Sequence, residues 1–199
     1  FKAMQARQEA EEKAKTLAYL KNSGELLRND PDSFVGGNPD GDVTLVEFFD
    51  YRCGYCKKFH PVMTELLATD PNIRVVYKEF PILGPQSDLA SRAAIAALMS
   101  DRAKYLDFHN ALMDARGNLD RRRIFDIAEE NGIDPVQIAE DMESPEVRQV
   151  VARSYDLAKN LGIQGTPGFV VGDAIIPGYV NLEQMRKLIA EARSGCLTC

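Results

Sequence analysis

A strand, a helix and a second strand follow one another between residues 43 and 80, and this order constrains the fold most. The run VTLVEFFDY is β-branched and aromatic, which predicts a buried strand. The next segment, CGYCKKFHPVMTELLAT, has apolar residues at helical spacing, and NIRVVYKEF predicts another strand. A parallel βαβ unit has this order, and its crossover is almost always right-handed. Cys53 and Cys56 are therefore expected where the first strand turns into the helix.

The rest of the main domain is predicted to be a block of helices, a hairpin and a last helix. Residues 84–162 have helical patterns throughout, with proline and glycine at expected helix starts and stops, and we count four or five helices. Two short apolar runs around Gly172-Asp173 predict a β-hairpin, and Asn181 caps a final amphipathic helix. The predicted order is βαβ, a helical insertion, then ββα, which makes an α/β fold.

The first 30 residues are rich in Ala, Glu, Lys and Gln and predict a helix with little apolar surface. Ala3, Ala10 and Leu17 recur at seven-residue spacing, and this thin stripe would allow the helix to pack against a copy of itself. The alternative is a solvated helix that docks on its own domain. Both interpretations stay open at this point.

A segment dense in Asp, Gly and Pro, residues 29–42, predicts a linker and a domain boundary near residue 36. The predicted organisation has three parts: an N-terminal helical extension with its linker (1–36), a main domain (37–195) with the helical insertion at about 84–162, and a C-terminal Cys-x-x-Cys tail (196–199).

Composition and charge exclude several classes of protein. The net charge is −6 and the basic residues are scattered among acids, so nucleic acid is not an expected partner. No run approaches the roughly 18 apolar residues that a membrane span requires. Because the chain begins with Phe1 and not with Met, we expect that an upstream segment such as a leader peptide has been removed, which would fit an exported protein.

Four cysteines in 199 residues are too few for a disulfide scaffold, so the first pair is free for chemistry. A cysteine attacks as its thiolate, and Cys53 at a helix N-terminus faces unpaired N–H groups and the positive end of the helix dipole. We expect Lys57 and Lys58 to add cationic charge nearby. Cys56, one turn deeper, is placed to close a disulfide ring. The pattern predicts a redox centre in which Cys53 attacks and Cys56 resolves.

Metal binding is the alternative chemistry for the cysteines. Two C-x-x-C pairs can form a tetrahedral zinc site, but the spacer between Cys56 and Cys196 is far longer than in usual zinc sites. An inert structural disulfide between Cys53 and Cys56 would close a small loop and constrain the unfolded chain little. For Cys196 and Cys199 we expect a local disulfide, with capture of copper or another metal and a link to another chain as alternatives.

The segment EFFDYRCGYCKKFHP, the helical insertion, and GTPGFVVGD followed by PGY together resemble the DsbA family of thioredoxin-fold thiol–disulfide oxidoreductases. The resemblance covers residues 40–195 and implies a thioredoxin fold with a helical insertion, and no cofactor other than the redox-active cysteine pair. Pro61 falls where thioredoxin-like proteins kink the active-site helix. His60 and His109 receive no catalytic role in this interpretation, and no metal ligands are assigned.

The resemblance also implies roles for residues outside the cysteine pair. Glu47 lies six residues before Cys53 and matches a buried acid thought to assist proton transfer; the alternative is an ordinary strand carboxylate that faces solvent. Thr166 and Pro167 match the loop whose cis-proline faces the cysteines and offers backbone hydrogen bonds to a bound peptide. Substrate would then lie along an exposed edge like an added strand.

The residues between the cysteines distinguish this chain from typical DsbA oxidases. Gly54 and Tyr55, with Thr166 before the proline, are similar to the active site of isomerases of the DsbC type, although the helical insertion is DsbA-like. A core of this kind after a helical extension resembles the suppressor-of-copper-sensitivity C (ScsC) proteins, some of which form trimers through that extension. Assembly of several copies would present several active sites to one misfolded substrate.

The residues and the resemblance together predict a disulfide isomerase that acts on cysteine-containing exported proteins in the bacterial periplasm. A membrane redox partner would reset the active site, and residues 1–30 would form a homo-oligomer, with a trimer favoured. Two alternatives stay open. One is a dithiol oxidase of the DsbA type, and the other, from a different class, is a copper- or zinc-binding or chaperone module.

Overall fold

The structure, a computed structural model, describes residues 2–195 apart from the side chains of residues 2, 3 and 9. The strands are β1 Phe34–Gly37, β2 Val43–Phe49, β3 Ile73–Glu79, β4 Gly168–Val171 and β5 Ala174–Pro177. They form one five-stranded sheet in the order β1-β3-β2-β4-β5. The β2–β3 pair is parallel and the other three pairs are antiparallel.

Helices cover both faces of this sheet. Their bounds are α1 Lys2–Asn22, α2 Gly24–Arg28, α3 Gly54–Thr69, α4 Pro85–Ser100, α5 Arg102–Asp114, α6 Arg121–Glu130, α7 Pro135–Asp141, α8 Pro145–Asn160 and α9 Leu182–Gly195. The predicted βαβ unit is confirmed as β2-α3-β3, the insertion as the five helices α4–α8, and the hairpin as β4-β5. None of the helices in the described part of the chain is long and apolar enough to cross a membrane.

Local sequence explains where several helices begin. Asp101, Asp120, Asp134 and Ser144 each accept a hydrogen bond from a backbone N–H in the first turn of the helix that follows. Asn181 does the same at the start of α9, as predicted. Each cap satisfies a donor that the helix itself leaves without a partner. The helical insertion is therefore punctuated by short polar side chains that the sequence already displays.

The sheet separates two hydrophobic cores because successive side chains of a strand point to opposite faces. From β2, Leu45 and Phe49 enter the larger core, which α3, α9 and the insertion cover. Val46 and Phe48 enter the smaller core, together with apolar residues of α1, α2 and α8. Glu47 has the parity of Leu45 and Phe49, so its side chain lies on the face covered by α3.

The predicted linker, residues 29–42, is wrong in its middle part because residues 34–37 form β1. This strand pairs with β3, so the boundary expected near residue 36 falls inside the sheet. The strand has four residues, two of them glycine, and so lacks the β-branched run by which strands are recognised. Gly37 has φ 68°, and a Cβ there would lie 2.4 Å from the Ile73 carbonyl oxygen, so no other residue fits without a shift.

The part of the N-terminal segment that stands apart from the domain is shorter than the sequence indicates, because the end of this segment packs into the smaller core. Leu20 in the last turn of α1 and Leu27 in α2 are 1% and 0% exposed, and both belong to the smaller core. The described side chains of residues 4–18 are exposed or half-exposed, Leu17 among them. Ala3, one member of the heptad stripe, lies outside the described side chains. Within this chain α1 therefore docks through its C-terminal turn, and most of its length has no apolar cover.

Candidate active site

Cys53 lies at the N-cap of α3, at the carboxyl end of β2, as predicted. Its N–H donates to the Asp50 carbonyl oxygen at 3.0 Å, and its carbonyl oxygen accepts from the Lys57 N–H at 3.0 Å. These two bonds fix the passage from strand to helix. Cys53 is 7% exposed, whereas Cys56 in the first turn of α3 is 1% exposed. The pair thus combines one thiol that reaches the surface with one in the core.

The thiol of Cys53 has a pKa of about 5, well below the ordinary cysteine value. The largest cause is a hydrogen bond from the Cys56 thiol. Burial acts in the opposite direction, and the Thr166 side chain and the N–H groups of Cys56 and Tyr55 lower the pKa further. In its protonated form the Cys53 thiol donates to the Thr166 carbonyl oxygen at 3.2 Å. Cys53 is therefore a thiolate at neutral pH, the form required of a nucleophile.

Hydrogen bonds, and not the charges of Lys57 and Lys58, account for this low pKa; the expectation placed on the two lysines is corrected. The Lys58 ammonium lies 4.4 Å from the centre of the Tyr179 ring. The Lys57 ammonium instead caps the C-terminal end of α5, where helix carbonyl groups lack partners. It donates at 2.9–3.1 Å to the carbonyl oxygens of Leu112, Met113 and Ala115.

Cys56 remains a neutral thiol. Burial raises the pKa of this thiol far above its ordinary value, and the hydrogen bond to Cys53 and the charge of Glu47 act in the same direction. A neutral Cys56 can donate its S–H to the Cys53 thiolate, which is the largest single stabilisation of that thiolate. The two cysteines therefore have opposite protonation states, since the hydrogen bond between them lowers the pKa of Cys53 and raises that of Cys56.

Glu47 lies in the interior beneath α3, 5% exposed, and not on a solvent-facing strand surface. Burial, and then the negative charge of Cys53, raises the pKa of Glu47 to about 8. The charge of Glu47 in turn affects the Cys56 thiol. A carboxyl group that titrates near neutral pH beside a buried thiol is placed to exchange a proton with it.

Thr166 and Pro167 face the cysteine pair from the loop before β4. The Thr166–Pro167 peptide bond is cis, the geometry that the resemblance implies. The Pro167 carbonyl oxygen accepts from the Gly178 N–H at 2.9 Å, which ties this loop to the segment after β5. Two segments distant in the sequence thus meet at the Cys53 sulfur.

The dipeptide between the cysteines is open to solvent. Tyr55 is 61% exposed, and its ring centroid lies 6.1 Å from that of Tyr179. A Cβ placed on Gly54 would meet no atom within 4 Å, so crowding does not require glycine there. Both residues present surface beside the reactive sulfur, where a substrate would approach.

Two buried acids that no sequence pattern predicted hold the turn before Cys53. Glu79, the last residue of β3, is 4% exposed; burial raises its pKa to about 8, against hydrogen bonds from three hydroxyl groups that lower it. Asp50 is fully buried. The only signal in the sequence is that Asp50 directly follows one strand and Glu79 is the last residue of the next. Asp50 accepts three hydrogen bonds of 2.7–2.9 Å, from the N–H groups of Arg52 and Leu83 and the hydroxyl of Ser87.

Cys196 and Cys199 lie outside the described residues, so their expected local disulfide stays a prediction. Arg193 in α9 bonds Asp42, just before β2, whereas Cys53 follows β2. Helix α9 thus ends near the start of β2, whereas Cys53 lies beyond the other end of that strand. Among the side chains that the structure describes, no three of His, Cys, Asp or Glu are grouped so that they could hold a metal ion.

Comparisons with known sequences bear on the family. The family model of the DSBA-like thioredoxin domain matches residues 44–190. Disulfide bond formation protein D of Bacillus subtilis (strain 168) is 25% identical over 171 residues, which cover 81% of this chain and 77% of that protein. Na(+)/H(+) antiporter NhaA 1 of Salinispora arenicola (strain CNS-205) is 30% identical over 169 residues, or 83% of this chain. The chain spans only 26% of that antiporter's length.

Solved structures agree with the family model. A thioredoxin-like oxidoreductase from Silicibacter pomeroyi DSS-3 is 47% identical with a TM-score of 0.83, and the match covers 86% of this chain and 98% of that one. The catalytic domain of Proteus mirabilis ScsC is 30% identical with a TM-score of 0.83, over 90% of this chain and 99% of that one. The chain therefore belongs to the family of DSBA-like thioredoxin domains.

Proposed function

We propose that this chain is a protein disulfide isomerase that acts on exported proteins in the bacterial periplasm. The observation that carries the proposal is the set of hydrogen bonds that holds Cys53 as a thiolate while Cys56 stays a neutral thiol. Stabilising the thiolate stabilises the reduced form of the pair. An isomerase needs that form, because it must attack a disulfide that the substrate already contains. Gly54, Tyr55 and Thr166, and the similarity to the ScsC catalytic domain, support the same choice.

Isomerisation needs no net oxidant or reductant. The Cys53 thiolate attacks one sulfur of a wrong substrate disulfide, a mixed disulfide forms, and the other substrate sulfur leaves as a thiolate. A different substrate thiolate then attacks the substrate sulfur of the mixed disulfide. A new substrate disulfide forms and Cys53 leaves as a thiolate. The hydrogen bonds that lower the pKa of Cys53 make it a good leaving group in this second step.

Cys56 provides the exit when no substrate thiol attacks. It loses its proton, attacks the Cys53 sulfur and expels the substrate thiolate, which leaves a Cys53–Cys56 disulfide and a substrate reduced by two electrons. Two electrons and two protons from a membrane redox partner would restore the dithiol. Without this exit, a substrate that could not rearrange would stay attached to the enzyme.

Glu47 is the proton acceptor that we assign to Cys56. The negative charge of Cys53 is one of the two causes that raise the pKa of Glu47. That charge is absent once Cys53 is joined to substrate in a mixed disulfide. Glu47 then ionises more readily, at the step in which Cys56 must lose its proton. Glu47 is thus mostly protonated in the free enzyme, and a larger fraction of it is ionised and able to accept a proton in the mixed disulfide.

Substrate binding is assigned to the loop of Thr166 and Pro167. An extended peptide laid along this loop would bring its own cysteine against Cys53, since the Thr166 carbonyl oxygen lies 3.2 Å from the Cys53 sulfur. The exposed ring of Tyr55 would meet the residues that flank the substrate cysteine. The loop would bind main chain, which suits an enzyme that must accept many sequences.

The N-terminal helix is the element that we assign to self-association, with a trimer favoured. The described side chains of residues 4–18 are exposed or half-exposed, and Ala10 and Leu17 keep the seven-residue spacing of a packing stripe. A helix with so little contact to its own domain is free to pack against copies of itself. Several active sites would then act on one substrate at high effective concentration.

A scrambled multi-disulfide protein tests the isomerase. The full chain should restore its activity, and a Cys53→Ser control should not. Deleting residues 1–18, which keeps the buried Leu20, should weaken the rescue without changing the alkylation rate of Cys53. No rescue by the full chain would overturn the proposal, and so would stoichiometric copper or zinc in the purified protein without turnover.

A dithiol oxidase of the DsbA type is the second candidate, because the same low pKa of Cys53 destabilises the Cys53–Cys56 disulfide and makes it oxidising. An oxidase would oxidise a reduced peptide quickly and leave wrong disulfides uncorrected. The redox equilibrium with glutathione and the scrambled-substrate assay, run on the same preparation, distinguish the two activities.

A further inference from the structure

A hydrogen-bonded cluster of hydroxyl groups surrounds Glu79 directly below the turn that leads to Cys53. Three hydroxyls from three different elements donate to this one carboxyl group. Tyr51, from the turn, donates to Oε1 at 3.0 Å; Tyr105, from α5, donates to the same oxygen at 3.1 Å; and Ser91, from α4, donates to Oε2 at 2.7 Å. All four side chains are nearly inaccessible to solvent.

The Tyr51 hydroxyl has a second partner in His109. The His109 Nδ1 lies 3.0 Å from this hydroxyl. Burial, and then the charge of His60, lowers the pKa of His109 to about 3, so the ring is neutral and one of its nitrogens carries a proton. With the Tyr51 hydroxyl donating to Glu79, the tautomer of His109 that fits this contact is the one in which Nδ1–H donates to a lone pair of the Tyr51 oxygen.

We propose that Glu79 is a positioning residue for the reactive cysteine: by accepting the hydrogen bond of Tyr51 it fixes the turn of residues 50–53 and so the place of the Cys53 sulfur. Within the turn, one backbone hydrogen bond joins the Cys53 N–H to the Asp50 carbonyl oxygen, so side chains must hold the turn against the rest of the domain. Asp50 anchors it to the start of α4, through Leu83 and Ser87. Glu79 anchors it to the end of β3.

Position matters for Cys53 because its low pKa depends on short-range hydrogen bonds. The Cys56 thiol, the Thr166 side chain and two N–H groups of α3 must point at the sulfur. A hydrogen bond weakens steeply when donor and acceptor move apart or lose alignment. A turn released at Tyr51 would therefore reduce the fraction of Cys53 that is ionised, although Glu79 touches neither cysteine nor substrate.

Two phenol-to-phenyl variants separate positioning from mere stability. Tyr51→Phe and Tyr105→Phe each remove one hydroxyl from the same Oε1 atom, and both rings are buried at 0% and 1% exposure. Only Tyr51 belongs to the turn. The rate of Cys53 alkylation from pH 3 to 9 reports its pKa directly. We expect Tyr51→Phe to lower that rate at pH 5 by about threefold to tenfold, since one pKa unit is a tenfold change in thiolate at low pH. Tyr105→Phe should stay within about twofold.

Two variants of Glu79 provide the second measurement if Tyr51→Phe does not fold. Glu79→Gln should keep the alkylation profile, because its amide oxygen can accept from the Tyr51 and Tyr105 hydroxyls while its NH2 group donates to the Ser91 hydroxyl. Glu79→Leu should raise the pKa of Cys53. Equal shifts in the two phenyl variants, or a wild-type profile in Glu79→Leu, would overturn the proposal. Alkylation concerns the Cys53 thiol alone, so these outcomes are independent of whether the chain is an isomerase.

Discussion

The two faces of the central sheet differ in whether a buried charged group has a partner of opposite charge. On the face toward α3, Glu47 is buried, and the two effects that shift its pKa, burial and the charge of Cys53, both favour the protonated acid. On the other face Lys78, 1% exposed, donates to Asp30 Oδ2 at 2.9 Å, to the Ser33 hydroxyl at 2.8 Å and to the Leu26 carbonyl oxygen at 2.8 Å. All three protons of the ammonium group thus have acceptors.

The difference shows how pairing decides whether a buried charge supports the fold or the chemistry. Burial alone would raise the pKa of Asp30, but the Lys78 ammonium lowers it below the ordinary value, so this carboxylate stays ionised throughout the neutral range. The Asp30–Lys78 pair joins the segment after α2 to the central sheet. Glu47 has no such fixed charge, and so it can gain or lose a proton near pH 8. The face with the Asp30–Lys78 pair binds the N-terminal segment to the sheet, and the other face packs against the reactive cysteines.

Removing the Lys78 ammonium should have the largest effect on the free energy of unfolding. Lys78→Met leaves Asp30 buried with only the more distant Arg153 guanidinium, 3.6 Å from Oδ1, and breaking a buried pair in this way costs about 3–5 kcal/mol. Urea unfolding measures the loss. The double variant Asp30→Leu with Lys78→Met should recover most of it, since no unpaired charge remains. The Cys53 alkylation profile should not change in either variant, and a loss below about 1 kcal/mol in Lys78→Met would contradict the comparison.

Glu47 should instead make stability depend on pH. Its folded pKa of about 8 lies above the unfolded value, so the folded state binds the proton more tightly and stability falls as pH rises from about 4.5 to 8. Glu47→Gln removes this fall. Each pKa unit is worth about 1.4 kcal/mol, and water that follows the ionised group into the interior reduces the total, so we expect the variant to gain about 2 kcal/mol relative to wild type between pH 5 and pH 8. Parallel curves for the two proteins would show that Glu47 ionises normally.

Substitutions of Thr166 test whether the pKa of Cys53 can be changed without a loss of protein stability. Thr166→Val removes the side-chain hydrogen bond to Cys53 and should raise the pKa of that thiol by about one unit, which is tenfold in thiolate at pH 4. Thr166→Ser keeps the hydroxyl and is the matched control. Urea midpoints of all three proteins should agree. Equal profiles for the valine and serine variants would mean that the backbone N–H groups and Cys56 alone hold the thiolate.

An exposed ion pair should give the smallest effect. Arg7 and Glu11 in α1 are 3.0 Å apart, but their side chains are 83% and 58% exposed. Solvent screens such a pair, and the long side chains lose entropy when they join. Arg7→Gln should therefore leave the urea midpoint unchanged within error. A loss as large as that of Lys78→Met would show that proximity, and not burial, makes an ion pair important here.

Local sequence patterns predicted the parts of this molecule that depend on neighbouring residues. The βαβ unit, the helical insertion, the hairpin and the N-cap place of Cys53 all follow from spacing and punctuation within about ten to twenty residues. The strand β1 was missed because its pairing with β3, and not its own composition, makes it a strand. Lys57 was misjudged for a similar reason, since its acceptors lie at the end of α5, 55–58 residues away.

The sequence by itself determined that a thiol would stand at the start of a helix, with a second thiol one turn deeper. Only the tertiary structure decided how strongly that thiol is ionised, because its hydrogen-bond partners include Thr166, 113 residues away, and its turn is held by Glu79. The same holds for the two buried acids and for Lys78: a residue's type is local, but the partners that set its pKa come from whichever segments the fold brings within hydrogen-bond distance.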